Sequence, residues 1–537
     1  MAEYVPAESL AFIETNDLVA IAQGVTGTEA WRQLAPPLTA PQELIPYGWS
    51  IRLARWTGIG STEAVLFARS QLAFFFTQAQ ATASGDTLTI KPLAALVIET
   101  HTSQGRMRPA IEKRVEQFAR SAYGEAILTR KQIDGVDIAE WKSADNTRRL
   151  LLAIVDTVAI VGNDESVVLS CVDVRRGKRA SLAANQQLQI MRSQLGAAQS
   201  PLFAFVPKTG VKAIIQAWAF ARADNGAEAG SIVPIISNAF GNLIDGFAFT
   251  SRFDQSGAED RCRVALATGV TQQLSDDVSP EPLRGKVELP LVPSEATSVT
   301  SYRMRNPASF WRKLSTVISS RSDVLTAIAS RPLLRGLLEP YGIVEPDIFF
   351  SAIGPSVQIV RLDSNRPAVL IASTFDKQSL RKIAEQRLGR APKIEKVDDA
   401  EIMVGADGWS FAFDGEYFLS GPVEAVRRCL DAKARGKAIE TQSSFRRSQA
   451  SLDLTLPIVT LTFSQEVSST ISFVELFSSQ ERSAFSNNAT AIRQAAESLP
   501  YSVSVVMIKD DGLEWSSRSS FGLVGSLFTT FAPETSR

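Results

Sequence analysis

Histidine is almost absent from this chain of 537 residues, in which His101 is the only one. Histidine is the usual base of hydrolytic triads and the commonest ligand of transition metals. The sequence therefore argues against serine–histidine, cysteine–histidine and multi-histidine metal chemistry, and we expect no cofactor and no metal site. His101 ends an apolar run, so we interpret it as an exposed residue at the end of a strand.

Cysteine is also scarce. The three cysteines, Cys171, Cys262 and Cys429, lie far apart in the sequence and show no Cys-x-x-Cys spacing. This pattern predicts neither a disulfide framework nor a structural zinc site. We expect buried, unreactive thiols, because free cysteine usually behaves as a small apolar residue.

An excess of charge is missing as well, because 56 basic residues face 57 acidic ones and leave a formal net charge of −1. Such a chain has no overall field that attracts nucleic acid, so we expect no nucleic-acid partner. The sequence also lacks an apolar run long enough to span a bilayer, and Met1–Leu10 contains two glutamates and no basic residue. By itself the sequence predicts no export signal and, if complete, a cytoplasmic location.

The chain does contain an internal repeat. Five short signatures return in the same order: Val5–Glu8 as Val292–Glu295, Trp31–Leu34 as Trp311–Leu314, Ala94–Thr100 as Ala368–Thr374, Arg176–Lys178 as Arg435–Lys437, and Gly257–Arg263 as Gly512–Arg518. The distance between partners falls steadily from 287 to 255 residues. Chance matches would scatter, whereas a steady fall indicates a module duplicated head to tail whose second copy lost some loop residues.

The segment between the two copies has the composition of a linker. Residues 272–293 lack periodic apolar residues and contain several aspartates, prolines and a glycine. We therefore divide the chain into a first half, residues 1–270, a linker, 271–290, a second half, 291–520, and an apolar C-terminal tail, 521–537. A chain of this length exceeds what one hydrophobic core usually supports, so two similar domains are expected.

Each half shows β-hairpin patterns interrupted by helices. In the first half, Ser70–Ala79 and Thr87–Thr100 flank the turn sequence Ser84-Gly85-Asp86. A helix follows, with Pro109 at its start and Phe118 in its apolar stripe. These patterns predict an α+β fold with two tandem homologous halves, each a mostly antiparallel sheet with packed helices.

Several of these segments carry a resemblance to a known family: the opening Val5–Phe12, the strand Ser70–Ala73, the apolar run around Leu96, and the helix after Gly162 and Glu165. Together they resemble an uncharacterised bacterial family, common in cyanobacteria and acidobacteria, that is catalogued only as a domain of unknown function. The resemblance covers most of the chain and brings no catalytic or ligand residues. Family members usually follow one N-terminal hydrophobic anchor, so the resemblance implies a periplasmic or lumenal, membrane-associated location.

Two groups of basic residues, which we call the basic clusters, lie at equivalent ends of the repeated helix. They are Arg175, Arg176, Lys178 and Arg179 in the first half, and Lys433, Arg435 and Lys437 in the second half. Basic residues at a helix C-terminus complement the helix dipole and bond its free carbonyls. The alternative is a patch for anionic lipid or an acidic partner, where each basic residue near a charged membrane contributes on the order of 1 kcal/mol.

The C-terminal tail is apolar and uncharged from residue 521 to residue 531, yet too short to span a bilayer. It either packs onto the second half or inserts into a membrane interface or a partner's groove. The candidate contact residues are Phe521, Leu523, Val524, Leu527, Phe528 and Phe531.

These observations favour a non-catalytic scaffold or binding protein of the bacterial envelope or of a membrane-associated assembly, with another protein or a membrane surface as its partner. One alternative is a carrier of a lipid or hydrophobic small molecule in a cavity between the halves, because apolar rows such as Leu72–Phe76 exceed one-sided burial. Another is an enzyme that uses Asp, Glu, Lys or Tyr, since such sites need no linear motif.

Overall fold

The computed structural model describes residues 1–38, 40, 70–84, 87–222, 237–238, 240–278, 289–321, 334–363, 367–389, 392–450, 458–477 and 488–531. Within these ranges the backbone alone is described at 79–84, 87–91, 217–222 and 530–531.

The strands of the described residues form one antiparallel sheet of twenty strands. Those of the first half are β1 (Ala11–Thr15), β2 (Gln71–Ser84), β3 (Thr87–Glu99), β4 (Ala126–Ile133), β5 (Val136–Ser143), β6 (Arg149–Val155), β7 (Val158–Gly162), β8 (Leu202–Pro207), β9 (Ile244–Asp254) and β10 (Gly257–Leu266). Those of the second half are β11 (Ser298–Arg303), β12 (Ile353–Arg361), β13 (Val369–Thr374), β14 (Lys393–Val397), β15 (Ala400–Val404), β16 (Trp409–Asp414), β17 (Tyr417–Pro422), β18 (Ile458–Ser464), β19 (Ser502–Lys509) and β20 (Gly512–Ser519).

The strands of the two halves pair in the same order. Across the sheet the first half runs β4-β5-β6-β7-β3-β2-β1-β8-β9-β10. The second half runs β14-β15-β16-β17-β13-β12-β11-β18-β19-β20. Two isolated bridges, Pro6–Ser181 and Pro293–Ala438, also take the same place in each half. Antiparallel pairing with packed helices confirms the predicted α+β class.

Helices connect and cover the strands. Those of the first half are α1 (Leu18–Gly27), α2 (Glu29–Leu34), α3 (Gln104–Tyr123), α4 (Glu165–Arg175), α5 (Gln186–Leu195), α6 (Lys208–Arg222) and α7 (Val270–Val278). Those that follow are α8 (Pro307–Ser320), α9 (Pro346–Ala352), α10 (Lys377–Leu388), α11 (Val423–Ala434), α12 (Ser443–Ala450), α13 (Val467–Glu475), α14 (Ala489–Ser498) and α15 (Gly522–Phe531).

Both faces of the sheet are buried in the first half, which explains its continuous apolar strands. Successive residues of a strand point to opposite faces. Leu151 on β6 packs into the core beneath α4 and α5, whereas its neighbour Leu152 packs beneath α3. A strand between two helical layers therefore needs apolar residues at consecutive positions, as in Arg149–Val155.

Local patterns predicted the hairpin and the helix cap but misplaced one helix start. β2 pairs with β3 as expected, although Gly85 and Asp86 of the predicted turn lie outside the described residues. Gly177 has a φ of +72°, the left-handed cap expected after α4. The helix predicted to start at Pro109 begins at Gln104, because apolar Met107 extends its buried stripe by one turn. Phe118, expected in that stripe, is instead 61% exposed.

The two halves meet edge to edge at a seam, where β10 pairs with β20. Glu259 lies opposite Arg518, and Arg263 lies opposite Glu514. The carboxylate and guanidinium groups approach to 3.8 Å in the first pair and 3.7 Å in the second. The signature that contains Glu259 and Arg263 recurs as the one that contains Glu514 and Arg518, so the contact is reciprocal, as in a two-fold symmetric dimer.

Each half also places its tryptophan-bearing helix on the other half. Trp31 on α2 is fully buried among second-half residues that include Phe473 and Phe521. Trp311 on α8 packs in a cluster with Val270 and Val278 of α7. The segment predicted to be a linker therefore begins with a packed helix, while its residues 279–288 lie outside the described ranges.

The cysteines match the expectation of buried thiols. Cys171 and Cys429 lie on the equivalent helices α4 and α11 and are buried, and Cys262 on β10 is partly buried. Burial raises the pKa of the Cys262 thiol to about 11 and that of the Cys429 thiol to about 12. Thiols with such pKa values stay protonated at neutral pH and are poor nucleophiles.

Candidate functional site

The basic clusters lie at the C-terminal ends of α4 and α11 and bind nearby strands. Arg175 lies 3.3 Å from the Asp156 carboxylate at the turn between β6 and β7. Lys433 lies 2.8 Å from the Asp414 carboxylate at the end of β16. Each pair therefore anchors its helix to the equivalent hairpin of its own half, β6–β7 in the first and β16–β17 in the second.

Other members of the basic clusters also have partners within the protein. The Arg176 guanidinium donates to the Asp134 carbonyl oxygen, Arg179 pairs with Glu8, and Arg435 pairs with Asp431. Lys178 and Lys437 are exposed and form no ion pair in the described part of the chain. Binding of an anionic surface by the basic clusters stays a prediction, and these two lysines are its most available residues.

The tail forms α15, which packs on α13, β9 and β10. Phe521 and Val524 are almost fully buried there, and Phe528 packs partly buried between two clusters of apolar residues. Leu523 is exposed and Leu527 is half-buried, whereas the side chain of Phe531 lies outside the described residues. A membrane or partner contact through the tail stays a prediction, but buried Phe521 and Val524 contribute to packing.

The only histidine lies beside a buried glutamate. His101 follows β3, and its side chain is 62% exposed, as expected for a strand end. Its Nδ1 atom lies 3.6 Å from the Glu99 carboxylate, which also accepts hydrogen bonds from Tyr4 and Thr157. Burial alone would raise the pKa of Glu99, but these hydrogen bonds and the His101 backbone amide outweigh burial and lower it. A carboxylate that is satisfied in this way has a structural role.

A cleft of about 900 Å³ opens in the second half and is a candidate binding site. It lies between the start of α12, the junction of β18 with α13, and α14. Part of its lining is aliphatic: Val467, Ile471, Ile492, Leu499 and Pro500. The rest offers mostly hydrogen-bonding side chains: Gln442, Ser443, Ser444, Gln465, Thr470, Ser502 and Ser520.

A buried tyrosine fixes part of the polar lining. Gln465 Nε2 donates to the Tyr501 hydroxyl at 2.6 Å, and that hydroxyl donates to Gln442 Oε1 at 3.0 Å. Burial raises the pKa of Tyr501 to about 12, so the hydroxyl keeps its proton at neutral pH. Both amide side chains are therefore held in place before any ligand arrives.

Glu466 lies at the junction of β18 with α13 and lines the cleft. Its side chain makes no capping hydrogen bond to the helix. Although the residue as a whole is exposed, protein atoms surround its carboxyl group, and this burial raises the pKa of Glu466. The Ser502 hydroxyl opposes the rise, and the charge of nearby Asp260 adds to it.

Asp260 lies on β10 and is only 3% exposed. One oxygen, Oδ2, accepts the backbone N–H of Leu523 at the start of α15 at 2.7 Å. Ser251 lies opposite Asp260 on β9, and its hydroxyl group favours the charged form of the carboxyl group. Burial raises the pKa of Asp260, because removal of the charged form from water is only partly offset. Gly522 allows this approach, since a Cβ atom there would lie 2.5 Å from Oδ2.

Sequence reasoning missed both carboxyl groups. Asp260 lies within a repeated signature, between Glu259 and Arg261, and looks like an ordinary alternating strand residue. Glu466 is a single glutamate far away in the chain. The strand register reveals one of them. Phe205 pairs with β1 at the position where Phe463 pairs with β11, so Lys208, three residues after Phe205, is equivalent to Glu466. The side chain at this position is therefore basic in the first half and acidic in the second.

Comparisons with known proteins add no assignment. A scan against protein-family models, a search of curated proteins and a search of solved structures find no match. No group of three or more metal-ligating residues occurs in the described ranges. None of the helices in those ranges is both long enough and apolar enough to cross a bilayer.

Proposed function

We propose that this protein is a non-catalytic binding protein that holds a small amphipathic molecule in the second-half cleft. The cleft itself is the observation that carries the proposal. Its volume of about 900 Å³ lies within the range of roughly 300–1,000 Å³ in which proteins bind small ligands. This function corresponds to the carrier predicted from the sequence, except that the lining comes from the second half alone rather than from both halves.

The make-up of the lining supports an amphipathic ligand. Ile471 and Ile492 offer aliphatic surface, while Gln442 and Gln465 are fixed hydrogen-bonding groups. A molecule with an apolar body and one polar end can contact both parts, because its body meets the aliphatic residues and its polar end meets accessible hydrogen-bonding side chains such as Gln465.

Native mass spectrometry of protein extracted gently from its host tests the proposal. We expect a stoichiometric bound small molecule in the natural protein and its loss from Ile492→Trp, which places a large ring in the cleft. Ile190→Trp, at an exposed position on α5, is the matched control and should keep the molecule. If neither natural ligand nor added amphiphiles bind, the proposal is wrong. Turnover of a substrate that disappears in Glu466→Gln would replace it with an enzymatic function.

We also infer that the two halves are copies of one ancestral module. The shared strand order, the equivalent isolated bridges and the reciprocal seam support this inference. In this view the cleft is a later feature of one copy. Reconstruction of related chains with a single module would test it, and a single module with an unrelated strand order would contradict it.

A scaffold function is the second candidate, supported by the outermost strands of the sheet. β4 and β14 each have one edge without a strand partner among the described residues. Ile127 on β4 is 58% exposed and Ile394 on β14 is 57% exposed. Open edges with apolar side chains accept a strand from another protein. Loss of a co-purifying protein from the double variant Ile127→Glu with Ile394→Glu, but not from Ile190→Glu, would support this function.

A further inference from the structure

We propose that the molecule bound in the cleft carries a primary ammonium group on an aliphatic stem, and that Glu466 binds this ammonium. The inference rests on the proposed function, because it names the chemical class of ligand for the same cleft. It follows from the carboxylates near the cleft, from a comparison of equivalent positions in the two halves, and from the aliphatic lining.

The carboxylate of Glu466 interacts with the Ser502 hydroxyl and can still accept a cation. Glutamate before a helix often serves the backbone amides of the first turn, but the Glu466 side chain makes no such bond. No basic residue of the described ranges forms an ion pair with it. The carboxylate nevertheless lies in a cleft where an ammonium group would gain from reduced screening by water.

The first half provides its own ammonium at the equivalent position. Lys208 follows β8 as Glu466 follows β18, and its Nζ atom lies 2.6 Å from the Asp245 carboxylate. In the second half, Pro500 takes the place of Asp245 and Ser444 that of Gln187, which bonds the Asp245 carbonyl oxygen in the first half. The second half therefore keeps a carboxylate at this junction, and no lysine among its described residues pairs with it.

Other lining residues set the remaining preferences. Ile471, Ile492 and Leu499 offer aliphatic surface for a stem of several carbons. Arg493 is the only basic residue of the lining, and it is exposed together with Glu497 on α14. Two of the described charged lining residues are acidic and one is basic, so the net charge of the lining favours a cation.

Isothermal titration of the full chain with three probes of equal length tests the inference: octylammonium, 1-octanol and octanoate. We expect octylammonium to bind at least tenfold more tightly than 1-octanol, and octanoate to bind most weakly. In Glu466→Gln this preference should fall to about twofold, because octylammonium loses its ionic partner. The matched control is Glu339→Gln, an exposed glutamate outside the cleft, which should keep the full preference.

The outcomes separate this inference from the function on which it rests. If none of the three probes binds, both are wrong. If 1-octanol binds but octylammonium shows no preference, or octanoate binds most tightly, the ammonium inference is wrong and the binding function stands. An equal preference in natural protein and Glu466→Gln would also overturn the inference.

A free amine and an ethanolamine lipid share this chemistry, so a comparison with lyso-phosphatidylethanolamine shows which source binds more tightly, and either result supports the ammonium site.

Discussion

The two halves share a framework and differ at one junction. Each contains the same strand order and the same helix-to-hairpin ion pair, Arg175 with Asp156 in one and Lys433 with Asp414 in the other. At the end of β8 and of β18 they diverge, because Lys208 is paired with Asp245 whereas Glu466 caps no helix amide and forms no ion pair with a described residue. Equivalent contacts therefore identify what the fold requires, and the divergent contact identifies what the fold leaves available for function.

Contacts across the seam join the two halves. Glu259 and Arg263 pair reciprocally with Arg518 and Glu514, and each half packs its tryptophan helix on the other. Contacts that cross between similar halves in this way make their stabilities interdependent. Equivalent substitutions in the two halves then test whether these contacts contribute equally to the free energy of unfolding.

The largest effect is expected from the two tryptophans. Trp31→Ala should lower the free energy of unfolding by about 3–5 kcal/mol, because a fully buried indole leaves a cavity among Phe473, Phe477 and Phe521. Trp311→Ala should cost a similar amount, since its ring stacks on Phe350.

Chemical denaturation measures both tryptophan changes, and Phe118→Ala is the control. Phe118 is 61% exposed, so its removal should cost no more than about 0.5 kcal/mol. A cost below about 1 kcal/mol for Trp31→Ala would mean that α2 does not join the halves as described, and the same result for Trp311→Ala would mean that its ring is not packed on Phe350.

Much of each half was predictable from local sequence, and the junction between halves was not. The hairpin of β2 with β3 and the cap at Gly177 follow from turn and cap residues that act within a few positions. Pairing of β10 with β20 joins residues such as Glu259 and Arg518 that are far apart in the chain. No local pattern specifies such a pairing, because an exposed edge strand has the same alternation as a paired one.

The cleft was unpredictable for a related physical reason. Its lining combines residues from α12, α13, α14 and the start of β19, none of which forms a recognisable motif alone. Asp260 gains its character from burial at the seam, and burial is a tertiary property. Comparison of Lys208 with Glu466 required the strand register, which the sequence does not contain directly.

A second prediction contrasts two buried carboxylates by their response to pH. Hydrogen bonds hold the pKa of Glu99 below its usual value, so its ionisation stabilises the fold above that value, and this stability is lost as the pH falls through the lowered pKa. Burial raises the pKa of Asp260, so its contribution is full at low pH and is lost as the pH rises through the raised pKa.

Substitution should expose these opposite slopes. Glu99→Gln should be most destabilised relative to the natural protein at neutral pH, and the difference in their free energies of unfolding should shrink on acidification. Asp260→Asn should do the reverse, with its best relative stability at neutral pH and a growing disadvantage as the pH falls toward about 4, the usual aspartate pKa. Denaturant midpoints from below the lowered pKa of Glu99 up to pH 8 provide the measurement. Parallel slopes for the two variants would show that the two sites do not differ as described.

The smallest effect is expected where the halves agree. Arg175→Met removes an exposed ion pair and keeps an apolar stem, so it should lower the free energy of unfolding by only about 0.2–1 kcal/mol. Lys433→Met should cost more, because it leaves the buried Asp414 carboxylate without its cation. Denaturation in low salt measures the change, which should shrink at high salt because exposed pairs are screened.

Substitutions in the basic clusters also distinguish helix anchoring from membrane binding. If the basic clusters bind an anionic membrane, the double variant Lys178→Ser with Lys437→Ser should lose affinity for phosphatidylserine vesicles, while Arg175→Met keeps most of it because Arg175 is already neutralised by Asp156. If Arg175→Met loses as much affinity as the lysine variant, the Asp156 pair does not hold that arginine at the helix end. The likeness between the halves at this position would then reflect a common binding surface rather than a common structural need.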